Sequence, residues 1–386
     1  MRLFVAAALA FATMADGLAA ARPQPIRAAP QNAQAVLGEA VRLADWQLGH
    51  MGADHVSQAT SDTRNPAAWE RAVFWIGMTA LADAGAPPRI EAAVLAMGRA
   101  NAWLPGRNPY FADDHAITQA YLWAAGHGGG SAALAPTRAT FDRIVDNPAM
   151  VSLAFHVPPE GYGAAECLAR WCWCDALFMA PPALIALSDR TGNPKYRDFA
   201  LREFWATIAF LFDPAERLYY RDSRFFDRRD DQGRKLFWSR GNGWVFAGLA
   251  RMIPLLPRGS PDRRRLEAHF VAMAARIRDL QKPDGYWAPS LLSPDGSPPE
   301  SSGTAFYTYG TAWGITAGLL PRAAYEPVAR RGWAALERSV RPDGRLGYVQ
   351  QVSDRPDTVQ ADDTQFYGTG GFLLAATAIA ALDLKP

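Results

Sequence analysis

Asp175 ends the run Trp171-Cys172-Trp173-Cys174-Asp175 and stands directly before the apolar stretch Ala176–Leu187. An aspartate at such a place can cap a helix by accepting its first N–H groups. It can also act as a carboxylic acid. Trp171, Trp173 and Phe178 would favour the neutral form and raise its pKa, while a helix N-terminus favours the charged form. A group that gives a proton and then takes one back needs a pKa near the working pH. A second acidic cluster, Asp113-Asp114-His115, precedes the apolar residues of NPYFADDHAITQAYLW (108–123). One of its aspartates reads as a cap, the other as a group that orients a water or binds hydroxyls. With Asp175 it would make the pair of carboxyls that many glycosidases use. No spaced partners accompany the cluster, so a metal site is the weaker reading.

Two further segments offer a binding surface. In KLFWSRGNGWVFAGL (235–249), Trp238, Arg240 and Trp244 flank a Gly-Asn-Gly turn that leads into a helix. Arg240 can grip a carboxylate with two prongs, and the tryptophan faces, with Trp173, can stack on a sugar ring. Residues 221–240 carry six Arg and one Lys against four Asp. That field suits an anionic ligand, and a solvated charge run is the equal alternative. SSGTAFYTYGTAWGI (301–315) and ADDTQFYGTGGFLLAA (361–376) each join polar and aromatic residues to a helix start of small residues. They read either as cavity-mouth segments or as repeat packing.

The elements that must position these residues are mostly helices. Segments 261–281 and 325–340 show one apolar stripe and a charged face, as outer helices do; others are apolar nearly all round, as buried ones are. The buried helices are expected to begin near Trp69, Asp114, Asp175, Trp244, Trp313 and Phe372. Three loops, LFDPAERLYY (211–220), LQKPDGYWAP (280–289) and VRPDGRLGYV (340–349), repeat a turn followed by aromatics. Six inner helices alternating with outer ones is the arithmetic of an all-α (α/α)6 barrel; an open solenoid is the alternative. No Pro/Ser linker interrupts residues 36–386, which are expected to form one domain.

The chain has 386 residues, 49% hydrophobic and 20% charged, with a net charge of +2. This is globular composition, and it argues against a general nucleic-acid binder. Thirteen Trp fit a sugar-binding protein. Arg2, the short apolar run Leu3–Ala12 and the small residues up to Ala21 read as a secretory signal peptide, residues 1–21. Residues 22–35 follow as a leader, so the mature protein is expected to be secreted or periplasmic, with no membrane insertion. Cys167, Cys172 and Cys174 lie too close together for a disulfide scaffold and are expected to be small buried hydrophobes. No second Cys cluster accompanies them to complete a metal site.

Asp175-Ala-Leu-Phe-Met-Ala-Pro-Pro182, whose Asp closes a Trp-x-Asp, and Trp238-Ser-Arg-Gly-Asn-Gly-Trp244 some sixty residues on together resemble the unsaturated rhamnogalacturonyl hydrolases, glycoside hydrolase family 105. The unsaturated glucuronyl hydrolases of family 88 are related to these. The resemblance spans most of residues 36–386. It implies an (α/α)6 barrel acting on oligosaccharides whose non-reducing end is a 4,5-unsaturated uronic acid. The chemistry implied is hydration of the vinyl ether, with no metal or organic cofactor: an Asp protonates C4, water adds at C5, and the resulting hemiketal rearranges and expels the rest of the sugar.

Carried over by motif, Asp175 is the general acid and then the base. Asp113 or Asp114 is the second carboxylate, with the register favouring Asp113. Trp173, Trp238, Arg240 and Trp244 line the subsite. The chain departs from the family near position 220, where many members carry a His and this one reads Tyr219-Tyr220-Arg221-Asp222. Arg221 is then the candidate anion contact, and His115 another polar contact. The substrate expected is pectin-derived galacturonyl-rhamnose, ahead of glucuronyl oligosaccharides. A polysaccharide lyase, an inverting glycosidase or a non-catalytic sugar-binding protein on the same toroid are the alternatives.

Overall fold

The computed structural model describes residues 33–52, 54–56 and 64–384. The expected signal peptide, residues 1–21, and most of the leader lie outside them. Among the described residues fourteen α-helices follow in order: α1 (Ala33–Gly49), α2 (Trp69–Asp83), α3 (Arg89–Ala100), α4 (Ala112–His115), α5 (Thr118–Ala124), α6 (Gly130–Asp146), α7 (Ala176–Met179), α8 (Pro181–Thr191), α9 (Pro194–Leu211), α10 (Ser239–Met252), α11 (Pro261–Asp279), α12 (Ser301–Thr316), α13 (Arg322–Ser339) and α14 (Phe366–Leu384).

Their packing closes a ring. α2 packs on α4 and α5, these on α7 and α8, and these on α10. α10 packs on α12, α12 on α14, and α14 returns to α2. That makes six inner positions, two of them split into a short helix and a longer one. α3, α6, α9, α11, α13 and α1 lie outside α2, α5, α8, α10, α12 and α14 in turn. This is the (α/α)6 barrel that the alternation of apolar and amphipathic segments predicts.

Local chemistry sets the boundaries. Asn193 and Ser260 accept the N–H groups of Lys195 and Arg263, and Pro194 and Pro261 open the helices behind them. Glu300 caps α12 through the N–H groups of Ser302 and Gly303. The three similar loops share one reversal after an outer helix. Gly285 and Gly344 both stand at φ +94°, where only glycine is unstrained, and Arg217 takes the left-handed position at φ +55°. The first of these loops forms the hairpin of β1 (Phe212–Asp213) and β2 (Leu218–Tyr219).

Three expected helix starts are corrected. The fourth inner helix begins at Ser239 rather than near Trp244, the fifth at Ser301 rather than near Trp313, and the sixth at Phe366 rather than near Phe372. α14 is long and apolar enough to cross a membrane by length and composition. Here α1, α2, α12 and α13 cover it. The expectation for the cysteines is also corrected: Cys167 and Cys172 form a disulfide, and Cys174 remains a buried thiol. A short 3₁₀ turn over Glu166–Arg170 and a left-handed Trp171 at φ +58° fold the chain back, bringing the two Cα atoms to 5.5 Å. Linear spacing gave no sign of that reversal.

Candidate active site

The inner helices present their N-termini at one end of the ring, and a cavity of about 420 Å³ opens there. Asp113, Trp173, Asp175, Arg221, Trp238, Arg240 and Trp244 all line it. These residues come from four separate stretches of sequence.

Asp175 directly precedes α7. Its side chain caps nothing, which removes the simple structural reading. Its Oδ2 instead accepts a hydrogen bond from Arg221 Nε at 3.1 Å, and the residue is only 7% exposed. Burial pushes its carboxyl above the usual range, against the opposing charges of Arg221 and Arg240. Asp113, on the one-turn α4, lies in the same wall. Burial and then the charge of Asp175 push its carboxyl well up, with Arg221 opposing. Two carboxyls in one low-dielectric cavity resist losing both protons, so the site is biased toward keeping one of them.

Arg221 also donates through Nη1 to Asp222 Oδ2 at 2.9 Å, and its guanidinium lies over the Tyr162 ring at 5.4 Å. Asp222 is fully buried and is held in turn by Arg224, which reaches on to Asp354. Arg240 is sandwiched between the Trp238 and Tyr367 rings at 4.5 and 4.8 Å. Its Nη1 and Nη2 donate to the carbonyls of Gln350 and Gln351 at 2.6 and 2.8 Å. Nη1 also meets the Ser302 hydroxyl, which donates to Glu300. Arg240 therefore fixes the loop at 350–354 as well as facing the cavity. The aromatic wall is itself packed: Trp173 against Phe111 at 5.3 Å, and Trp244 against Phe306 at 4.2 Å.

Two expected contacts lie elsewhere. Asp114 accepts the N–H of Asn108 at 2.6 Å and braces the loop before α4. His115 is fully buried, donates from Nε2 to the Pro109 carbonyl at 2.8 Å, and packs edge-on to Phe141. Burial lowers its pKa to about 4. Successive residues on one helical turn diverge by about 100°, so of the three only Asp113 lines the cavity. The arginine-rich stretch is largely self-neutralised: Arg234 pairs with Asp230, Lys235 with Asp213, and Arg224 with Asp222 and Asp354.

Sequence reasoning missed Trp69, Phe111, Tyr162, Met179 and the loop residues Val352–Asp354. Trp69 opens an inner helix, and the repeat could have placed it; Tyr162 sits in a long Gly/Pro-rich connection without periodicity. A second cavity of about 470 Å³ opens at the other end of the ring, against Arg251, Tyr309 and Trp313. Among the described residues that line it, Asp189 is the only carboxylate, so it lacks the pair.

Comparison with known proteins gives the family. Residues 40–382 match Glycosyl Hydrolase Family 88. The chain belongs to that family. It is a glycoside hydrolase on an (α/α)6 toroid. An unsaturated 3S-rhamnoglycuronyl hydrolase from Alteromonas sp. (strain LOR) is 41% identical over 86% of this chain and 83% of its own. One of the same name from Formosa agariphila is 36% identical, over 82% and 85%. A solved family 88 glycosyl hydrolase from Bacteroides vulgatus superposes with a TM-score of 0.78 at 27% identity, covering 91% of this chain and 99% of its own.

Proposed function

We propose that this family 88 enzyme removes a 4,5-unsaturated uronic acid from the non-reducing end of rhamnose-containing oligosaccharides. Asp175 is the acid and base, and Asp113 the second carboxylate. The observation that carries the proposal is the placing of both carboxyls, one of them on Arg221, in a single tryptophan-lined cavity. The names of the two relatives favour an unsaturated 3S-rhamnoglycuronyl substrate, with a rhamnose sulfated at O3, over the pectin-derived galacturonyl-rhamnose that the sequence resemblance favours.

In the proposed reaction Asp175 donates its proton to C4, and the C4=C5 π electrons form the new C–H bond. Water adds to C5 and gives a proton back to the Asp175 carboxylate. The C5 hemiketal then opens: the bond from C5 to the ring oxygen breaks, a ketone forms, and the ring oxygen takes the hydroxyl proton. The hemiacetal left at C1 expels the aglycone as an alcohol. Asp113 holds the attacking water or the sugar hydroxyls. The enzyme is exported in this reading, which the Cys167–Cys172 disulfide supports, since such bonds persist in oxidising compartments.

The test is ultraviolet absorbance of the conjugated uronate, with two substrates side by side: lyase-digested rhamnogalacturonan and lyase-digested polysaccharide bearing 3-sulfated rhamnose. Faster loss of signal with the second is expected. Equal persistence of the double bond in both would overturn the proposal.

A further inference from the structure

Arg221 is unusual among the cations of this end of the ring because it touches the acid itself. Its Nε lies 3.1 Å from Asp175 Oδ2 and its Nη1 2.9 Å from Asp222 Oδ2. Asp222 has its own second cation, since Arg224 reaches both its oxygens. Arg221 can thus leave Asp175 without stranding Asp222. Arg240, the other cavity cation, has both Nη atoms committed to the carbonyls of Gln350 and Gln351.

The chemistry of an unsaturated uronate sets a distance requirement. The carbon to be protonated, C4, is two bonds from the carboxylate carbon, C6. The cation that grips the carboxylate and the acid that protonates C4 must therefore be neighbours. Asp175 and Arg221 stand in that relation, and they are already bonded to each other.

Resting on the function proposed above, we infer that Arg221 gates Asp175. In the empty site its guanidinium engages the Asp175 carboxyl; the substrate's own carboxylate draws it away, and Asp175 takes up from solvent the proton that it then delivers to C4. Arg221 is both the docking cation for the uronate and the positioning residue for the acid. A sugar without a carboxylate leaves the gate shut, so the selection for uronates operates through the acid as well as through affinity.

The charged and titratable groups around the pair come from several elements. Asp113 on α4 and Glu70 on α2 are carboxyls whose charges act in this cavity. Cys174 and Asp222 flank the pair along the chain, Tyr162 faces Arg221 from the long connection, Arg240 comes from α10, and Arg224 and Asp354 close the far side. Removing Arg221 leaves this set net acidic, so Asp175 must then hold its proton to higher pH.

Two measurements test the gate. In the pH profile of kcat/KM, the basic limb reports loss of the acid's proton in the free enzyme. Arg221→Gln should move that limb up by about one pH unit or more. The second compares the natural substrate with its uronate methyl ester. In the wild type the ester should lose at least about 10-fold in kcat/KM, whereas in Arg221→Gln acid and ester should differ by less than about 3-fold. If Arg221→Gln does not fold, Arg221→Lys, which keeps the charge beside Asp222 but offers no planar fork, should likewise shrink the ester penalty. An unmoved limb, or the same ester penalty with and without Arg221, overturns the inference and puts the carboxylate on Arg240. A wild type that consumes no unsaturated uronate overturns the proposed function itself.

Discussion

Asp175 and Arg240 sit at opposite ends of one question, which is whether a charged residue in the cavity works on the substrate or on the protein. Asp175 makes no cap; its Oδ2 accepts from Arg221 Nε in the cavity wall and, more weakly, from the buried Cys174 thiol. Asp175→Asn should keep its shape and lose the proton. Turnover should fall by at least about 10²-fold, with substrate affinity retained in a direct binding assay; near-normal turnover would give the acid's role to Asp113. Arg240 works on the protein as well. Its two carbonyl partners hold residues 350–351, next to Val352, Ser353 and Asp354 of the cavity wall. Arg240→Ala should therefore lower the thermal midpoint and raise KM together, because the Gln351 carbonyl loses its guanidinium donor and the Gln350 carbonyl keeps only the Tyr367 hydroxyl. A raised KM at an unchanged midpoint would mark it as a pure substrate contact. The type and neighbourhood of both residues were legible in the sequence, since Trp-x-Asp and Trp-Ser-Arg are local. What their atoms bond to was not, because Gln350 and Arg221 arrive from distant loops. The same limit misdirected Asp114 and His115, where one short turn of helix decides which side chain faces in.

At the scale of elements, the ring closes where α14 meets α2, and it closes on glycine. A Cβ built on Gly370 would lie 2.2 Å from the Val73 carbonyl oxygen, and one on Gly77 2.6 Å from the Gly370 carbonyl oxygen. Backbone cannot move aside as a flexible side chain can, so Gly370→Ala should cost roughly 1–3 kcal/mol or more in denaturant unfolding. Gly49→Ala, where an added methyl meets nothing, should be neutral or slightly stabilising. Comparable losses from both would mean that α2 and α14 are not held at this spacing. This contact also explains why helix starts were the least legible part of the fold. Ser301-Ser302-Gly303 and Gly368–Gly371 look like loop chemistry in a sequence. In the ring, Gly303 sits against the Ser239 hydroxyl and Gly310 against the Phe246 ring, each at a Cβ distance of 2.5 Å or less. Small residues are needed inside inner helices because inner helices touch. The six-fold alternation itself was legible, because outer helices such as α11 and α13 carry a charged face and inner ones do not.

For the whole molecule, a toroid whose inner helix ends meet at one mouth concentrates buried charge in its function, and stability pays there. Asp113 carries a carboxyl pushed well above the usual range by burial and by Asp175. The unfolded chain gives up that proton near pH 3.9; the folded chain keeps it to higher pH. The contribution of this group to stability is therefore complete below about pH 4 and is lost as pH rises through the folded value. Asparagine has no proton to lose. The difference in thermal midpoint, Asp113→Asn minus wild type, should accordingly grow from pH 4 to pH 8, by about 1–3 °C, while activity is lost. The ion pairs outside the cavity run the other way: against the pull of burial, Lys195 and Lys235 hold Asp142 and Asp213 below the usual range, so their contribution fades as pH falls. Those pairs are the same in both proteins and cancel in the difference. A difference that stays flat between pH 4 and pH 8 would show that Asp113 ionises in the folded barrel as easily as in the open chain. The acidic pair would then have no special claim on a proton at neutral pH, and the acid chemistry assigned to this end of the ring would lose its electrostatic basis.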